Sequence, residues 1–198
     1  MQSKRKIVVL TSLVALLSLA SALLLALAPP PLVAEGYNSL SASDHGPFLD
    51  EIFKTAVAAK PEQWKFIYLH QSATTSGNAS TLARPESGVC DHFIIGNGNG
   101  CQDGELEVSP RWNNQQAAAA PLGVDHIEPS CISVCIVGDF DHSMPTPVQL
   151  RRLTELVSTL QTQFRIGADK VILLSDTASP SSVGRYFPIT AFRDQILP

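Results

Sequence analysis

His92-Phe93-Ile94-Ile95-Gly96-Asn97-Gly98-Asn99-Gly100, followed by Asp103-Gly104 and Glu105-Leu106-Glu107-Val108, sets the architecture of this chain. Phe93-Ile94-Ile95 and Leu106-Glu107-Val108 have the short, β-branched or alternating character of strands. Between them lie Asn97-Gly98-Asn99-Gly100 and Asp103-Gly104, residues that tolerate positive φ, so the two runs are expected to pair as a hairpin. A phosphate cradle is a poor reading of the same glycines, because their spacing is wrong and no helix opens after them.

Working outward, residues 65–70, 89–95, 105–108, 132–137 and 171–174 read as strands of one sheet. Residues 47–59 carry Phe48, Leu49, Ile52, Phe53, Val57 and Ala58 at helical spacing, with Pro47 near the first turn. Thr146-Pro147-Val148-Gln149 has a hydroxyl cap, Pro at the first helical position and Gln three residues after the cap, so a helix is expected to start there. Leu150, Leu153, Leu156, Val157, Leu160 and Phe164 continue it as a core stripe, with Gly167 as the stop. Residues 189–197 read as a short closing helix. Strands alternating with helices predict an α/β domain in which a mixed sheet is flanked by helices.

Lys4, Arg5 and Lys6 precede residues 7–28, which carry no charge. A spanning helix needs roughly 20 apolar residues, whereas a cleavable signal uses about 7 to 15, so length favours a retained transmembrane anchor. Leu32-Val33-Ala34 and Ala26-Leu27-Ala28 offer small residues for cleavage, which would make the domain secreted. Positive charge on residues 1–6 keeps that flank cytoplasmic, so both readings place the domain on the extracytoplasmic side. Residues 29–43, with Pro29-Pro30-Pro31, read as a linker, and residues 44–198 as one domain. Every acid follows the apolar segment, so this part holds 18 acids against 11 Lys and Arg (14 less the three at the start), a net of −7. That balance argues against nucleic acid as a partner.

Of the four cysteines, Cys90 with Cys101 is the one pairing expected in an oxidising compartment. Cys131 and Cys135 fall on one strand, where four residues separate Cα atoms by roughly 13 Å, too far for a disulfide. They read as buried thiols packing as small hydrophobes.

Five runs occur in order: residues 67–74 (Ile-Tyr-Leu-His-Gln-Ser-Ala-Thr), 92–98, Asp103-Gly104, Arg111-Trp112-Asn113-Asn114-Gln115, and Val134-Cys135-Ile136-Val137-Gly138-Asp139-Phe140. Together they resemble the zinc-dependent N-acetylmuramoyl-L-alanine amidases, the family that includes phage-type amidases and peptidoglycan recognition proteins. The resemblance covers roughly residues 64–196 and implies the amidase fold.

It also implies site residues. His70 stands where the family's first zinc ligand ends a strand. The second histidine falls near Leu174 or Ser175, and Ser179 takes the place of the Cys or Asp before the Pro turn. Asp91 replaces the tyrosine that precedes the His-Phe pair. Residues 117–120, ending at Ala120, replace a Gly-Ala-His run.

A catalytic zinc needs about three protein ligands and an open fourth place for water, which one imidazole does not supply. No zinc or other cofactor is therefore expected, and the leading expectation is a noncatalytic, membrane-anchored amidase-like domain that binds peptidoglycan. One alternative is an active amidase in peptidoglycan turnover with an altered metal shell, using His70 with Asp176, Asp91 or His126. Another is a protein-interaction module whose cleft residues 117–120 have closed. Arg111 and Trp112 are candidates for lining a glycan or peptide groove, against simple packing of Trp112 on the sheet. His92 reads as a hydrogen-bonded structural residue, and Asp125, His126 and His142 as solvated.

Overall fold

A computed structural model describes residues 38–40, 52–60, 62–120, 126–173 and 183–196. The strands are β1 (Asn38–Leu40), β2 (Phe66–Gln71), β3 (Phe93–Asn97), β4 (Asp103–Val108), β5 (Cys131–Ile136) and β6 (Val171–Leu173). The helices are α1 (Pro110–Asn113), α2 (Pro147–Phe164) and α3 (Ile189–Arg193). The strands form one mixed sheet in the order β1-β4-β3-β5-β2-β6.

The hairpin forms as the sequence predicts: Phe93 pairs with Val108 and Ile95 with Leu106, antiparallel. Gly98 and Gly100 take φ of 86° and 97°, which only glycine adopts without strain. β5 runs parallel to both β3 and β2, and β2 parallel to β6. The six-residue alternation of β2 and β5 then separates two chemistries. Ile67, Leu69, Ile132, Val134 and Ile136 face the apolar core built with Leu153, Leu156, Val157 and Leu160 of α2. Tyr68, His70, Ser133 and Cys135 alternate with them and face the other side.

α2 begins with the full capping box: Thr146 accepts from the Gln149 N–H, and the Gln149 side chain accepts from the Thr146 N–H. It ends at Phe164, earlier than Gly167 suggested. Arg165 takes the left-handed turn at φ 55°, and the Ile166 N–H closes onto the Gln161 carbonyl, the wrap that glycine commonly supplies.

Four expectations are corrected. β1 lies inside the segment read as a linker, paired with β4 through Asn38–Val108 and Leu40–Leu106. Of the helix expected over residues 47–59, residues 52–60 are turn and extended backbone, with the Val57 N–H bonded to the Asn113 carbonyl; the earlier part lies outside the described residues. The strand expected from Val89 starts only at Phe93, because Val89 gives its carbonyl to Arg111 and Asp91 and His92 turn inward. Cys90 and Cys101 are both free thiols: Cys101 points at the Gly77 carbonyl in the hairpin turn, while Cys90 lies near Ser87. No described helix is long and apolar enough to cross a membrane, and the anchor expected over residues 7–28 lies outside the described residues.

Candidate functional site

β2 and β5 pair in a register that sets His70 directly beside Cys135. Asp91, in the turn before β3, reaches over β5 from the other side: its Oδ1 lies 2.8 Å from His70 Nε2 and accepts from the Ser133 hydroxyl. His70 Nδ1 lies 3.0 Å from the Gln71 carbonyl. Both partners of the imidazole are acceptors, an arrangement that favours the doubly protonated ring. Burial opposes that charge, but the Asp91 carboxylate and its hydrogen bond outweigh it and raise the His70 pKa. Burial likewise opposes ionised Asp91, and the His70 charge with the bonds from His70 and Ser133 lowers its pKa. Cys135 joins them: one donor atom from each of His70, Asp91 and Cys135 lies within 4.8 Å of the others. Burial holds the Cys135 thiol well above its ordinary pKa, with Asp91 adding to the effect. Cys131, on the same face, is pushed up to about 12 by burial.

His70, Asp91 and Cys135 form the floor of a cleft of about 650 Å³ whose walls include Ser72, Thr74, Thr81, Arg84 and Glu86. Arg84 is half-buried, donates to the Ala120 carbonyl, and is near enough to weigh against the His70 charge. Residues 117–120 stand outside the lining, so the closed-cleft reading has no support here. A larger groove of about 840 Å³ lies at the opposite end of β2, between Lys65, Phe66 and the end of α2, and shares no residue with the His70 cleft. The titratable cluster, not size, marks the smaller one as the site.

Neither Arg111 nor Trp112 lines the cleft. Trp112 is 0 % exposed, with its ring against Trp64, Phe93 and Phe164 and its Nε1 donating to the Ile52 carbonyl. Arg111 donates to the carbonyls of Ser87, Val89 and Ala117, so its fork binds loops together instead of a ligand. His126 is exposed, and Asp125, Leu174, Ser175, Asp176 and Ser179 lie outside the described residues. Exposed His142 pairs with Asp139.

His92 is structural, as its sequence setting predicts. Its Nε2–H donates to the Gln116 carbonyl and its Nδ1 accepts from the Ser133 N–H, which fixes the neutral ring. Burial drops its pKa from 6.5 to about 4. The unfolded chain therefore binds the extra proton between those values, and stability falls as pH drops from 6.5 through 4, by about 3 kcal/mol in all. Urea unfolding at pH 7 and pH 4.5 should show this fall, and His92→Gln should flatten it.

A mixed sheet with helices and a cleft floored by a buried histidine at a strand end define an amidase-type domain. The family model for N-acetylmuramoyl-L-alanine amidases matches residues 60–182, and the chain belongs to that family. Among solved structures, the chain is similar to the endolysin amidase LysCS from Clostridium intestinale URNW at 17% identity, covering 71% of this chain and 90% of that one, TM-score 0.45. It is similar to PGRP-Hd from Alvinella pompejana at 15% identity, with coverages of 71% and 92% and TM-score 0.41. It is also similar to peptidoglycan recognition protein-LE, solved in complex with tracheal cytotoxin, at 15% identity, 72% and 89% coverage, TM-score 0.43. No curated protein matches the chain.

The donor positions that the family resemblance implies do not fit zinc in this chain. Of the three, only His70 carries a donor suited to the metal. The other two places hold Leu174 or Ser175 and Ser179, neutral groups that are poor zinc ligands beside imidazole or thiolate.

Proposed function

We propose that this chain is a non-hydrolytic amidase-family domain, tethered outside a membrane through residues 7–28, that holds peptidoglycan stem peptides in the cleft beside His70. One observation carries the reading: the cleft stays open while its reactive floor is closed by the His70 to Asp91 pair. A buried, mutually neutralised ion pair neither polarises an amide nor acidifies a water. Asp91 stands where the resemblance implies a tyrosine, and Ala120 where it implies part of a Gly-Ala-His run, so the groups expected to act on the amide are gone as well. What the cleft keeps is suited to holding a peptide. Arg84 offers a guanidinium that matches a carboxylate, and Ser72, Thr74 and Thr81 line the wall beside it.

Co-sedimentation of the full-length protein with purified sacculi tests the binding. Wild type should pellet with the sacculi and Arg84→Ala should pellet several-fold less. Sedimentation no greater than that of an unrelated acidic protein would remove the reading. Hydrolysis through an altered metal shell is the competing function, and the convergence of His70, Asp91 and Cys135 is the observation in its favour.

A further inference from the structure

We propose that His70, Asp91 and Cys135 together hold one divalent ion of the zinc type, in a donor set that differs from the family's in two of its three members. Imidazole nitrogen, carboxylate oxygen and thiolate sulfur are the three protein donors that zinc takes. Here one of each converges within 4.8 Å, a span that side-chain rotation closes to the separations found around a tetrahedral ion.

The backbone explains the convergence. His70 and Cys135 are register partners on adjacent parallel strands, and the Asp91 carboxylate comes to the same point from beyond β5. All three residues line the cleft, which gives an ion a way in and leaves room for a fourth ligand.

The groups behind the donors are arranged as those behind metal ligands usually are. The Gln71 carbonyl accepts from the His70 Nδ1–H and so aims Nε2 inward, and the Ser133 hydroxyl donates to one Asp91 oxygen and fixes it. A thiolate and a carboxylate cancel the double positive charge, which removes much of the penalty for burying it. Loading displaces the Cys135 thiol proton and the proton between His70 and Asp91, both to solvent. Those two groups lie 2.8 Å apart in the structure. An ion whose charge two anionic donors cancel pulls less on a fourth ligand than one held by two imidazoles and a single anion. Loading opens the His70 to Asp91 pair, so the loaded cleft binds without cutting because the ion's charge is already cancelled and the tyrosine and histidine that the resemblance implies are replaced by Asp91 and residues 117–120.

Cobalt(II) titration of the full-length, chelator-stripped protein tests this, since a sulfur ligand gives a near-ultraviolet charge-transfer band. About one cobalt per chain with that band is expected. Cys135→Ser should abolish the band, and Cys131→Ser, on the same face of the same strand, should keep it. Asp91→Asn should weaken binding by 10-fold or more, at least the loss typical when a supporting group is removed. Absence of stoichiometric cobalt, or a band that survives Cys135→Ser, would overturn the assignment. The band in unaltered protein is diagnostic without any variant, so a folding defect in one does not blunt the test. Cobalt bound through Cys135 with no affinity for sacculi would uphold this site and remove the peptide-binding reading; the reverse pattern would do the opposite.

Discussion

Trp112→Ala is expected to lower the unfolding free energy by about 4 kcal/mol, the range seen when a large buried aromatic is truncated. Trp112 is 0 % exposed and touches Trp64, His92, Phe93 and Phe164, so the deletion leaves a cavity between the sheet and residues from α2 and the loop before β2. It also strips the Ile52 carbonyl of its 2.6 Å indole bond, leaving an acceptor unsatisfied. Trp112→Phe keeps most of the packing and should recover more than half of the loss. Urea unfolding measures both. A groove-lining tryptophan would behave differently: its removal would weaken peptide binding and leave stability nearly unchanged.

The second large effect is at the site floor. In metal-free protein, Asp91→Ala should cost about 3 kcal/mol, because it leaves His70 Nε2 and the Ser133 hydroxyl buried without their acceptor. A double-mutant cycle with His70→Ala should return a coupling of about 2 kcal/mol, where an exposed pair would give at most about 1. The pH dependence has two edges. Asp91's folded pKa is below its ordinary 3.8, so its contribution is present above that value and is lost as pH falls through the folded pKa. His70's folded pKa is above 6.5, so its contribution is complete below 6.5 and is lost as pH rises through the folded pKa. The coupling should therefore peak between about pH 4 and 6.5 and decline on both sides. A coupling indistinguishable from zero across that window would show that the pair does not form.

Much of the scaffold was legible because local chemistry dictates it. The Asn-Gly run, the Thr146 cap and the α2 stripe each name their own structure, and the described fold follows them. β1 was not legible, since Asn38-Ser39-Leu40 has neither length nor alternation and owes its state to the β4 edge. Trp112 was readable as core or groove until the indole's partner was known. At the site, the family resemblance picks out His70 but does not fix its partner: Asp91 lies 21 residues away and reaches it only because the chain turns inward before β3. Cys135 reads as a packing thiol in the sequence, because the expected strands 65–70 and 132–137 do not set it level with His70. The observed bounds do: each is the penultimate residue of a six-residue strand, and the two strands pair in parallel end to end.

The proposed cleft holds stem peptides and does not cut them. Its most direct test is to incubate the full-length protein with sacculi in excess zinc and analyse the supernatant by mass spectrometry. Protein in the pellet and no free stem peptide above a protein-free control are expected. Chelator-sensitive release of peptides bearing a free N-terminal L-alanine would contradict it.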